Sequence, residues 1–109
     1  MSAVTGVERF LLAYMYYEYG GKMYFQAMGG EGAEDFLAEF ITEEFMPRSN
    51  PNFSRVREGF AEALRGLRDK GLIVLRGFEI VLTDEGKRLA SRVPQEEYQE
   101  VKKRFRSTK

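Results

Sequence analysis

Five carboxylates crowd one short stretch. Asp35, Glu39 and Glu43 recur every four residues, with Glu34 and Glu44 beside them. On a helix that spacing stacks like charges along one face, an arrangement that invites a divalent cation or a basic partner. No other ligand type converges on the stripe, so a solvated acidic face is the reading preferred here. A second run, Lys102-Lys103-Arg104 with Arg106 and Lys109, suits a polyanion held by counterion release. Glu96, Glu97 and Glu100 precede it at helical spacing, so part of that charge can pair along the helix instead. Histidine and cysteine are absent from all 109 residues. Their absence removes the commonest general base, the commonest metal ligand, the thiolate nucleophile and any disulfide. Catalysis would have to rest on carboxylate, lysine or tyrosine, and no such constellation is visible. No enzymatic activity, metal or cofactor is expected.

Net charge is zero but unevenly spread. Residues 1–50 hold three basic and eight acidic side chains, whereas residues 51–109 hold fourteen basic and nine acidic. A chain polarised in this way can present a cationic face to phosphate while its other face repels it. The length fits a single domain, 1–109. No apolar run approaches the ~18 residues of a membrane span, and the start lacks the pattern of a secretory signal, so the expected compartment is the cytoplasm. Two Asn, three Gln, no Cys and 31% charged residues point to a heat-adapted source.

The elements that position these groups follow from apolar periodicity and its stops. A first helix is predicted over residues 5–19, with Val7, Phe10, Leu11 and Tyr14 at helical spacing and Gly20-Gly21 as the stop. Met23-Tyr24-Phe25 is a β-prone triplet, and Gly29-Gly30-Glu31-Gly32 reads as a loop. Helix two, 33–45, has Phe36, Leu37, Phe40, Ile41 and Phe45 on its inward side. Pro47 breaks the chain, Ser49 or Asn50 caps helix three, and Pro51 sits in its first turn. That helix, 51–70, buries Phe53, Val56, Phe60, Ala63, Leu64 and Leu67 and stops at Gly71. Two strands within 72–82 follow around an Arg76-Gly77 turn, and Thr83 caps a helix to residue 92. A last helix, 94–106, carries Tyr98, Val101 and Phe105 on one side. The class is α+β, mostly α.

Ala63-Leu64, Leu67, Lys70-Gly71-Leu72-Ile73 and then Leu82-Thr83-Asp84-Glu85-Gly86 resemble the second half of a winged helix-turn-helix domain, where A-L-x-x-L-x-x-K-G-L-I and L-T-x-x-G recur. The resemblance spans about residues 5–92, most strongly 59–86, with an additional C-terminal helix. It is to the DNA-binding transcriptional regulator type, archaeal or archaeal-virus in character. It implies a short strand near Met23 that pairs with the hairpin. It also implies helix three in the major groove, with the hairpin as a wing on the adjacent backbone or minor groove. Double-stranded DNA is then the expected partner. Asn52, Ser54, Arg55, Glu62 and Arg65 face outward, Asn suiting adenine and Arg suiting guanine. Arg57 is placed for phosphate at the helix edge, and Arg76 for the backbone from the wing. Lys87, Arg88, Lys102, Lys103 and Arg104 are further phosphate contacts. Glu58 and Glu62 sit on the same face and repel phosphate, although Glu62 could accept from cytosine.

Ten of the fifteen aromatic residues lie in the first fifty. Helical spacing lets only one side of helix one be buried in a monomer, which leaves Tyr16 and Tyr19 on or near the surface. With Tyr98, Val101 and Phe105 they form the expected homodimer contact. Two functional classes remain open. One is a DNA-binding regulator; the other is a winged-helix protein–protein interaction module, a subunit of a larger assembly without DNA binding. The short wing and the two glutamates fit the second.

Overall fold

Thr5 caps the first helix. Its hydroxyl accepts the Glu8 backbone N–H at 3.1 Å, and the Glu8 carboxylate accepts the Thr5 N–H at 2.9 Å, a capping box that starts α1, Gly6–Tyr19. Gly20, left-handed at φ 67°, ends it, and the Gly21 N–H closes onto the Met15 carbonyl at 2.8 Å. The computed structural model describes residues 4–24 and 32–106, the side chains of Phe105 and Arg106 excepted. Phe25, the loop residues Gly29 to Glu31, and Lys109 therefore lie outside the described residues, as do the expected roles of the Phe105 and Arg106 side chains.

After α1 come β1 (Lys22–Tyr24), α2 (Ala33–Phe45), α3 (Phe53–Asp69), β2 (Ile73–Arg76), β3 (Glu79–Leu82), α4 (Asp84–Ser91) and α5 (Gln95–Arg106). The fold is mostly helical α+β. Its three strands form one antiparallel sheet in the order β1-β3-β2, with Met23 opposite Ile80 and Leu75 opposite Ile80 from the other side. Ile73, Ile80, Leu82 and Met23 turn inward and are buried, while Val74, Arg76, Lys22 and Tyr24 face out.

α1 is the centre of the molecule. It packs against α3, α4, α5 and the sheet, so six consecutive residues, Phe10 to Met15, are buried. The expectation of one covered side fails here because three helices and a sheet surround it. Val7, by contrast, stays exposed. Phe10 lies at the hub of an aromatic cluster, its ring centroid 5.9 Å from Phe45, 6.3 Å from Phe60 and 5.5 Å from Tyr98. On α2 the buried face is Leu37, Ala38, Ile41, Thr42 and Phe45; Phe40 is exposed rather than inward. The face that meets α3 is narrow, and Phe40 falls beyond its edge.

Helix three starts later than its capping residues predict. Asn50 Oδ1 accepts the Asn52 N–H at 2.8 Å, folding Asn50–Pro51–Asn52 into a side-chain-closed turn. Pro51 therefore precedes the helix, and Asn52, at the cap, makes no side-chain capping bond. At the other end Gly71 adopts φ 74°, and the Leu72 N–H reaches back to the Leu67 carbonyl at 2.9 Å. Thr83 then ties three elements together. Its hydroxyl donates to the Gly71 carbonyl at 2.8 Å and accepts the Gly86 N–H at 3.1 Å, while its own N–H donates to the Leu72 carbonyl at 3.0 Å. A Cβ at Gly86 would overlap the Leu72 carbonyl oxygen. The L-T-x-x-G stretch is thus a clamp between α4 and the end of α3.

Candidate nucleic-acid interface

The outward surface of α3 changes character along its length. At its start Ser54 and Arg55 are exposed, and the Arg55 guanidinium donates to Asn52 Oδ1 at 2.7 Å. That contact holds a guanidinium and a carboxamide side by side, the two groups suited to guanine and adenine edges. Arg57, one position off that line, has no carboxylate within ion-pair distance among the described residues. Glu58 and Glu62 follow, both exposed and likewise unpaired. With Arg57, Ala61, Arg65 and Asp35 they line an open polar cleft of about 450 Å³ between α2 and α3.

From the cleft onward the arginines of α3 are already occupied. Arg65 meets Asp35 at 2.9 Å, and Arg68 pairs with Glu34, whose carboxylate is nearly buried. In the turn after α2, Arg48 bonds Glu43 at 2.6 Å and Glu39 as well. Those two carboxylates hold the Arg48 guanidinium above its ordinary pKa, Glu39 chiefly. Four of the five acidic residues along α2 therefore face guanidinium groups rather than bulk water. The fifth, Glu44, accepts the buried Tyr14 hydroxyl. The acidic stripe is the counter-charge of its neighbours, which corrects the picture of a merely solvated face. Among the described residues no group of three or more potential ligands is arranged to hold a metal.

The hairpin differs in one respect from its sequence reading. Arg76 pairs in register with Glu79, so the two-residue tip is Gly77-Phe78 rather than Arg76-Gly77. Gly77 takes φ 57°, which a two-residue tip requires of its first position. Arg76 is exposed and makes no ion pair among the described residues; Glu79 is held instead by Lys22 at 3.7 Å. Phe78 is 70% exposed and Tyr24, on the outer face of β1, 68%. A turn at Arg76-Gly77 would put Phe78 in the second strand; with the tip at Gly77-Phe78 it lies in the turn instead.

The other expected contacts divide. Lys87 is exposed and its stem runs along Gly21, whereas Arg88 is paired with Glu85 on its own helix. Lys102 is engaged with Glu18 at 2.5 Å and lies over the Tyr98 ring, so it is not a free phosphate ligand. Lys103 and Arg104 are exposed. The reason lies in α5, which docks on α1 instead of extending from the body. Tyr98 is 1% exposed, stacked on Phe10 and Tyr17, and its hydroxyl donates to Glu18 at 2.7 Å. It belongs to the core and offers no surface to a second chain. Tyr16 is half-buried against Tyr17, Tyr19 is more exposed, and Val101 is half-buried. Burial first, and then the Glu18 charge, raise the Tyr19 phenol above its ordinary pKa.

Among the described residues no helix is long and apolar enough to cross a membrane. Comparison with protein-family models, curated proteins and solved structures finds no match to this chain.

Proposed function

We propose that the chain is a winged-helix DNA-binding protein, a cytoplasmic transcriptional regulator rather than an enzyme. In this reading α3 enters the major groove and the β2–β3 hairpin serves as a short wing. The observation that carries it is topological: α2 and α3 lead directly into a hairpin whose second strand pairs with β1 in the order β1-β3-β2. The charge pattern sharpens the assignment. Asn52, Ser54, Arg55 and Arg57, at the start of α3, carry base and phosphate contacts with Arg76 of the wing. Arg65 contributes only when DNA displaces Asp35. A mobility-shift assay on mixed-sequence duplex over a salt series tests this, with binding at low salt that weakens as salt rises as the expected result. No binding at low salt overturns it.

The pairing of Arg65 and Arg68 in cis favours a second reading, a winged-helix module that binds protein in a larger assembly. For either reading we propose self-association through α1 and α5. An apolar groove of about 330 Å³ runs between them, lined by Val7, Phe10, Ala13, Val93 and Val101 and rimmed by the Arg9–Glu97 pair. Val101→Glu should move a sedimenting dimer to monomer. A wild-type chain that is monomeric at high micromolar concentration overturns the dimer.

A further inference from the structure

Four arginines lie along α3, and their partners differ in kind. Arg65 and Arg68 are held by Asp35 and Glu34, carboxylates whose charge competes with any phosphate or base acceptor. Arg57 has no ion pair among the described residues. Arg55 is held by a neutral group instead: its Nη2 donates to Asn52 Oδ1 at 2.7 Å. A carboxamide aims the guanidinium without cancelling its charge. The two hydrogens of Nη2 lie on different edges of the guanidinium plane, so a bond to one leaves the other two-donor edge whole. In the major groove guanine presents O6 and N7 side by side, the acceptors that such an edge fits.

Asn52 commits its side chain to this contact rather than to the helix. An Asn at a helix start ordinarily accepts a backbone N–H of the first turn. Here the cap residue already has helical backbone angles and makes no side-chain capping bond. Its own N–H is satisfied separately by Asn50 Oδ1 at 2.8 Å. Reading adenine would require the Asn oxygen to accept from N6 while the nitrogen donates to N7. That oxygen is engaged by a cationic donor, the stronger kind of hydrogen bond.

We infer that Asn52 is a positioning residue: its carboxamide orients Arg55 to bond O6 and N7 of a single guanine, and Asn52 itself reads no base. The inference rests on the DNA-binding reading above and moves Asn52 within it from a base contact to the group that aims one.

The test uses the full chain and duplexes selected by it from a randomised pool, with each base pair of the preferred site then substituted in turn. Arg55→Ala should lower the preference for one G·C pair about 10- to 100-fold, the worth of a bidentate contact. Asn52→Ala should lower it about 2- to 10-fold at that same pair and at no other, the effect of freeing one long side chain. The double variant should match Arg55→Ala alone. Asn52→Asp, which keeps the acceptor, should retain the G·C preference while its added charge weakens binding to every sequence alike. It also keeps the test decisive if Asn52→Ala shifts the melting temperature. If Asn52→Ala relaxes a different base pair, Asn52 reads a base itself and the inference is overturned. It is overturned too if Asn52→Ala leaves the preference at the wild-type value, if Arg55→Ala changes no preference, or if wild type binds all sequences equally. The DNA-binding reading survives each of those results. If no duplex is bound at low salt, that reading fails and the positioning role falls with it.

Discussion

Gly86 shows how one residue type can be a structural requirement. Its backbone packs so closely on Leu72 that a methyl group there would overlap a carbonyl oxygen, an atom that cannot swing aside. Gly86→Ala should therefore destabilise the protein by about 1–3 kcal/mol, as overpacking does elsewhere. Gly59, exposed within α3, has open space around its missing Cβ, and Gly59→Ala should stabilise by about 0.5–1 kcal/mol through helix propensity. Denaturant melts of the two variants check both signs. Gly66 lies between these cases, because a Cβ there meets only the end of the Glu8 side chain. That carboxylate also ion-pairs with Lys70 at 2.5 Å, so the cost at Gly66 is a displaced salt bridge and a weakened cap. The glycine of L-T-x-x-G was legible as a motif in the sequence, but its cause was not. The approach of α4 to Leu72 joins two segments fourteen positions apart, and local pattern does not encode such distances.

The helices and strands were legible because their signals are local: Gly20, Gly71 and Thr83 stop or start elements where their φ values and hydroxyl bonds require. What covers each face was not. Periodicity marks Tyr98 and Val101 as one apolar side of α5, and it is silent on whether a second chain or α1 meets that side. In the structure α1 takes Tyr98, and Tyr98→Ala should cost about 3–5 kcal/mol in a monomeric unfolding experiment, the range for large aromatic truncations. A cost near zero would return Tyr98 to the surface. At the end of the same interface Arg9 grips Glu97 with two bonds of 2.9 Å. Hydrogen bonding from Arg9, outweighing desolvation, lowers the Glu97 carboxyl below its ordinary pKa. A depressed folded value means that the stability contributed is present above the unfolded pKa of about 4.3 and is lost as pH falls through the folded value. The melting temperature of wild type should accordingly exceed that of Glu97→Gln at neutral pH, with the gap closing below about pH 4. Salt should narrow the gap too, since the pair is exposed.

Across the whole molecule the two oppositely charged halves of the chain do not separate into two faces; they fold against each other. Asp35 and Glu34 on α2 meet Arg65 and Arg68 on α3, Glu8 meets Lys70, and Glu18 meets Lys102. Among the described residues the cations left without an ion pair include Arg57 near the start of α3 and Arg76 on the hairpin, with Lys87 and Lys103 on α4 and α5. On the proposed DNA-binding reading, this arrangement would make α2 a competitor of DNA for the C-terminal half of α3. The strength of that competition can be bounded. An exposed pair such as Arg65–Asp35 contributes about 0–1 kcal/mol, less than a bidentate guanine contact of about 1–3 kcal/mol, so a correctly placed base can displace Asp35. A single phosphate gains less and need not. Asp35→Asn should then strengthen duplex binding most on non-specific sequences, where the released Arg65 finds a phosphate. It should also steepen the slope of log K against log salt by up to about 0.9 for that one cation. Titrations of wild type and Asp35→Asn against specific and mixed duplexes at several salt concentrations read both quantities. Equal slopes and equal affinities would mean that Arg65 never reaches DNA, and that the contact surface ends near Arg57 on α3.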